Sequence, residues 1–173
     1  MLGHQSTNAS NPVALFQSDA AAYCSFVENL GSGDRKQLYS NLLRLLSALA
    51  KSACEIPLAS PARDHARPKE NDDEKLRQIG SNILDAVTPG CTALAEYYSS
   101  NEEARSRVWM LWDDLTDIYC DLRKGLDLYA TGGNDEIEEA VWIWAFNFGS
   151  HWGHHLYRAL QTILEIRYLI YSQ

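Results

Sequence analysis

The sequence predicts an all-α fold, an antiparallel helical bundle of four main helices with one or two short ones, and three observations carry that prediction. Apolar residues recur at spacings of three and four through most of the chain; no segment alternates apolar and polar residues between turn signals as a half-buried strand would; and glycine, proline and helix-capping residues fall between the periodic stretches. With 173 residues, 46% of them hydrophobic and 22% charged, one domain can bury a sizeable core without disulfides or a structural metal.

The elements follow in order. Residues 1–10 are polar and read as a loose tail, leaving 11–173 as the domain. Asn11-Pro12 supplies an N-cap and a first-turn proline, and Val13, Phe16, Ala20, Tyr23, Val27 and Leu30 then make one helical face that Gly31 and Gly33 end. Asp34 caps a second helix with Leu38, Leu42, Leu45 and Leu49 inward, so the first pair forms a hairpin. Periodicity stops at about 55–73, where Pro57, Pro61 and Pro68 stand among charged residues as an exposed connector. Asp72 or Asp73 caps a short helix carrying Leu76, Ile79, Ile83 and Val87; Thr88-Pro89-Gly90 is expected to break it. Ser100-Asn101-Glu102-Glu103 has capping-box spacing and opens a long helix reaching Tyr129. Asn134 caps the last one, whose acidic first turn suits the positive end of the helix dipole, and Gly149 and Gly153 are placed to bend it.

Net charge of −8 and a dispersed set of 15 basic residues argue against nucleic acid, and the apolar run 140–146 is far short of the ~20 residues that cross a bilayer. No membrane partner is expected. Cys24, Cys54, Cys91 and Cys120 include no C-x-x-C pair and read as reduced thiols, which with the polar N-terminal start places the chain in the cytoplasm.

Chemistry concentrates in the last helix. Its apolar stripe, Val141, Trp144, Phe148, Trp152, Ala159, Ile163, Ile166 and Ile170, contains His151 and His155, and an imidazole buried there without a partner would cost roughly 1–3 kcal/mol. On a helical wheel Asn147, His151, His155 and Arg158 form a polar strip along one margin of the stripe. The preceding helix offers Asp114 and Asp121 at one flank of its apolar face, whereas Asp113 and Asp117 point nearly opposite the core. Two readings stay open. The first is a structural Asp–His cluster. The second is a divalent metal gripped by His151 and His155 at i and i+4, with Asp114 or Asp121 as a further ligand and a coordination position left for water. No H-E-x-x-H motif, nucleophile elbow or phosphate-cradling glycine loop is present.

Two segments resemble the bacterial family known as domain of unknown function 5063. One is Leu111-Trp112-Asp113-Asp114-Leu115-Thr116-Asp117-Ile118-Tyr119 with Asp121-Leu122 and Gly125-Leu126. The other is Ala140-Val141-Trp142 with Phe146, Phe148, His151-Trp152-Gly153, His155 and Ala159-Leu160. The resemblance implies a small, all-helical bacterial domain and carries no activity, cofactor or catalytic residue. The leading expectation is therefore a non-catalytic interaction or accessory module with no cofactor. Trp142, Tyr157, Tyr168 and Tyr171 would offer its surface to another protein or to a second copy of the chain. The alternatives are the metal-dependent, hydrolase-like bundle and a small-ligand pocket between the last two helices.

Overall fold

The computed structural model describes residues 11–31, 35–61 and 73–171. The expected tail at 1–10, the caps Asp34 and Asp72 and most of the connector lie outside these residues. Among the described residues every regular element is helical: α1 Pro12–Glu28, α2 Arg35–Ala53, α3 Asp73–Tyr97, α4 Glu102–Trp109, α5 Leu111–Tyr129, α6 Asn134–Ser150, α7 Trp152–Glu165 and a terminal π-helical turn, Ile166–Ile170. None of them is long and apolar enough to cross a membrane.

The start of α1 is as its sequence dictates, with the Asn11 side chain accepting from the Val13 N–H at 3.0 Å and Pro12 in the first turn. Ile56, past the end of α2, turns back into the core, while Leu58 is almost fully exposed.

Four boundaries differ from the sequence expectation. Pro89 does not end its helix, and α3 runs through it to Tyr97. Packing carries the helix past the proline: the Tyr39 hydroxyl from α2 donates to the Val87 carbonyl at 2.9 Å, within the helix Thr88 Oγ1 donates to the Leu84 carbonyl at 2.6 Å, and Gly90 leaves room where a Cβ would collide with Tyr39 and Ile166. The long helix expected from 100 to 129 divides at Met110, and Asn101, not Ser100, caps its first part by accepting from the Ala104 N–H at 3.0 Å. The division puts Asp113 and Asp114 in the first turn of α5, at the positive end of its dipole. Asn134 is the first residue of α6, with Gly133 at the capping position.

The expected bend near Gly149 and Gly153 is a full break at His151, whose backbone (φ −144°, ψ −86°) is not helical. Gly153 permits it, because a Cβ there would strike the Phe148 carbonyl. Four main helices thus become six of 14 to 25 residues plus the short α4, within the same all-helical class.

Helix α5 is the hub, packing against α1, α3, α6 and α7. Its Gly125 lets the Trp144 indole lie on the helix backbone, where Nε1 donates to the Leu122 carbonyl at 3.2 Å. Trp152 Nε1 donates in turn to the Trp144 carbonyl at 3.2 Å, and Phe16 of α1 meets the Trp144 ring edge-on at 5.1 Å. This aromatic wedge fixes α6 and α7 against α5 and so sets how their polar margins face each other.

Candidate functional site

Across the α5–α7 interface the two imidazoles meet two different carboxylates. His151 Nδ1 is 2.7 Å from Asp121 Oδ2, and His155 Nδ1 is 2.8 Å from Asp114 Oδ1. The Asp114 side chain is 0% exposed and that of Asp121 6%, against 16% for His155 and 50% for His151. An ionised carboxylate only accepts, so the proton of each ring is assigned to Nδ1, which donates; Arg158 NH2 also lies 3.1 Å from His155 Nδ1. Nε2 is then the nitrogen each ring has left for another partner.

Asp114 has a second donor. Arg158 Nε lies 2.9 Å from both Asp114 oxygens, and Arg158 NH2 also pairs with Oδ1. This pairing holds the guanidinium even more firmly protonated than usual, against the opposing effect of burial. No buried side-chain nitrogen or oxygen among the described residues lacks a hydrogen-bond partner, so the buried acid is fully satisfied. Asp121 is backed more loosely, by Lys124 Nζ at 3.8 Å.

Asp117 completes the group. The wheel sets it outside the facing strip, yet its Oδ2 lies 3.4 Å from His155 Nε2. One ligand atom each from Asp117, His151 and His155 lie within 4.8 Å of one another, close enough to share a divalent ion. Burial raises the Asp117 carboxyl above its usual range, opposed by His155 and His151 and reinforced by Asp113 and Asp121. The spacing Asp114, Asp117, Asp121 (i, i+3, i+7) was the available signal: all three share one side of α5, Asp117 only about 40–60° beyond the others at ~100° per residue. A histidine is long enough to reach it.

The remaining sequence candidates divide. Arg158 joins the cluster. Asn147 contributes its carbonyl oxygen, which accepts from the His151 N–H at 2.8 Å, and its side chain makes no hydrogen bond to the described residues of the cluster. His151, expected on a buried stripe, is half exposed, because the helix ends at it and the stripe resumes at Trp152. On the proposed partner surface Trp142 is half-buried and stacked at 5.2 Å under the exposed Phe146, while Tyr157 and Tyr168 are exposed. Tyr171 is half-buried, stacked at 5.7 Å on the fully buried Tyr39. An open groove of about 770 Å³ lies elsewhere, among α1, α2 and α3, lined by Phe26, Leu30, Leu38 and Asn82 among others.

Fold and cluster together define an all-helical domain with a paired acid–histidine interface. The chain belongs to the family described as Domain of unknown function (DUF5063), whose model matches residues 8–169. No curated protein matches it. The chain is similar to the crystal structure of protein BF1032 from Bacteroides fragilis at 21% identity and a TM-score of 0.78, over 92% of this chain and 97% of that one. That likeness shows a shared fold.

Proposed function

We propose that this chain is a divalent-metal-binding helical domain in which His151, His155 and Asp117 hold the ion. One observation carries the reading: each imidazole has Nδ1 on its own buried carboxylate, so Nε2 is the nitrogen left for a metal, and one ligand atom from each ring lies within 4.8 Å of an Asp117 oxygen. That is the outer-sphere pattern of metal-binding histidines, where a carboxylate fixes tautomer and ring orientation. In this arrangement Asp114 and Asp121 orient ligands, and Asp117 supplies the oxygen donor that the sequence reading assigned to them. Two imidazoles and one carboxylate suit zinc, nickel, cobalt or iron better than magnesium or calcium. Three protein donors leave a position for water, the arrangement metal hydrolases use.

The test is elemental analysis of the full chain, purified without a histidine tag, loaded with zinc and freed of excess by gel filtration. About one ion per chain is expected, lost in the His151→Ala, His155→Ala double variant and in Asp117→Asn. Zinc that fails to stay with the folded wild type overturns the proposal.

A protein-contact role is favoured by a separate observation, the Trp142–Phe146 stack with its exposed outer ring on α6. Sedimentation of wild type against Phe146→Ser checks whether a second copy is the partner; a mass that falls in the variant supports it. A cytoplasmic setting is consistent with four cysteines that are all free thiols.

A further inference from the structure

We infer that Asp121 is the positioning residue that makes His151 a metal ligand; the inference rests on the metal-binding reading above. The two imidazoles reach the same place with unequal support. His155 is largely enclosed, and its Nδ1 partner is a fully buried acid that Arg158 also holds. His151 has neither advantage. It sits at the junction where α6 has ended and α7 has not begun, its side chain is half in water, and its ring touches the edge of His155 at 4.8 Å between centroids.

A half-exposed side chain at a helix junction keeps its rotamer freedom unless a specific contact removes it, and ordering it on metal binding would then cost entropy. The 2.7 Å hydrogen bond to Asp121 is the contact that removes it here. Asp121 can do so because it is itself immobile: it lies on the interior side of α5, the helix pinned on both sides by α1, α3, α6 and α7. It reaches across the interface to the one ligand whose own backbone is not helical. By accepting from Nδ1–H it selects the tautomer with Nε2 unprotonated and fixes the plane in which that nitrogen lies. Asp121 is a poor ligand itself, since its Oδ2 is occupied by the imidazole and its side chain is nearly sealed from solvent.

The experiment compares wild type, Asp121→Ala and Asp121→Asn as full-length, chelator-stripped protein, titrated with cobalt(II) and followed by its visible absorption. Asparagine keeps an oxygen that accepts from Nδ1–H, whereas alanine does not. Expected are a roughly 10–100-fold loss of cobalt affinity in Asp121→Ala and a smaller loss in Asp121→Asn. The melting temperatures of the metal-free proteins are expected to stay close together, because Asp121 has no buried guanidinium to leave behind.

A readout without metal accompanies the titration. Nitrogen-15 NMR of the His151 ring is expected to find the proton on Nδ1 in wild type and that preference lost in Asp121→Ala. Wild type that binds cobalt while Asp121→Ala binds it equally well overturns the role of Asp121 and leaves the metal-binding reading standing. Wild type that binds no cobalt overturns both. A ring tautomer unchanged by Asp121→Ala also overturns the positioning role, whatever the metal does.

Discussion

His155 and His151 are one helical turn apart in sequence, and each donates to an aspartate of α5, but they belong to different kinds of structure. Around His155 the acid is sealed and shared with Arg158, so ring, acid and guanidinium form one network whose members cannot leave singly without stranding a buried charge. Around His151 the ring stands half in water at a helix break and one hydrogen bond holds it. The difference teaches that an identical residue and partner type can be architecture in one place and adjustable equipment in the other. Burial of the acid and the presence of a second donor decide which.

The comparison breaks most visibly at Arg158. Arg158→Met would leave the fully buried Asp114 carboxylate with the imidazole alone, and we expect a loss of about 3 kcal/mol in urea unfolding of the metal-free protein. A loss below about 1 kcal/mol would mean that Arg158 does not hold the buried acid in place. His155→Ala comes next: it removes one donor from the same acid and one metal ligand, with an expected cost of about 1–2 kcal/mol together with loss of bound zinc.

His151→Ala sharpens the contrast. Zinc binding is expected to fall as far as in His155→Ala, while stability without metal falls by about 1 kcal/mol or less, because the half-exposed ring leaves a place where water can reach Asp121, with Lys124 Nζ still 3.8 Å from it. Equal destabilisation by the two alanines would erase the distinction between the halves of the site.

The smallest effect comes from a carboxylate on the far side of α5. Burial works to raise the pKa of Glu28, yet hydrogen bonds from Tyr119 at 2.7 Å and Lys75 at 3.1 Å, with the charges of Lys75 and Arg123, bring it below the ordinary glutamate range. A depressed acid contributes stability that is present above its unfolded pKa and is lost as pH falls through the folded value. The stability difference between wild type and Glu28→Gln should therefore shrink as pH drops from neutral to about 3. A difference independent of pH would show that the glutamate is not ionised in that network.

Much of this was legible in the residues. Asp114 and Asp121 were legible as candidate partners of the two histidines from wheel positions, because both flanks are polar margins beside broad apolar stripes; that the flanks meet, and which acid takes which ring, came from the packing of α7 on α5. Asp117 was legible only through its i+3 spacing from Asp114, since a wheel sets it outside the facing strip and ignores how far an imidazole extends. The exposure of His151 was equally hidden: on an unbroken helix it stays inside the stripe, and only the break, made possible by Gly153 against the Phe148 carbonyl, turns it outward.

By itself the sequence determined the helical class, the position of most helix starts and the existence of two polar margins, not that they meet. Periodicity and capping are properties of neighbouring residues, and they act before any tertiary contact exists. Tertiary structure decided where helices stop. Proline at 89 is carried through where Tyr39 and Ile166 pack against Gly90, whereas the chain breaks at His151, where no proline stands and Gly153 lies against the Phe148 carbonyl. A helix end costs only a few hydrogen bonds, so side-chain packing decides where it falls, and the place of the break at His151 sets which face of the site meets the solvent.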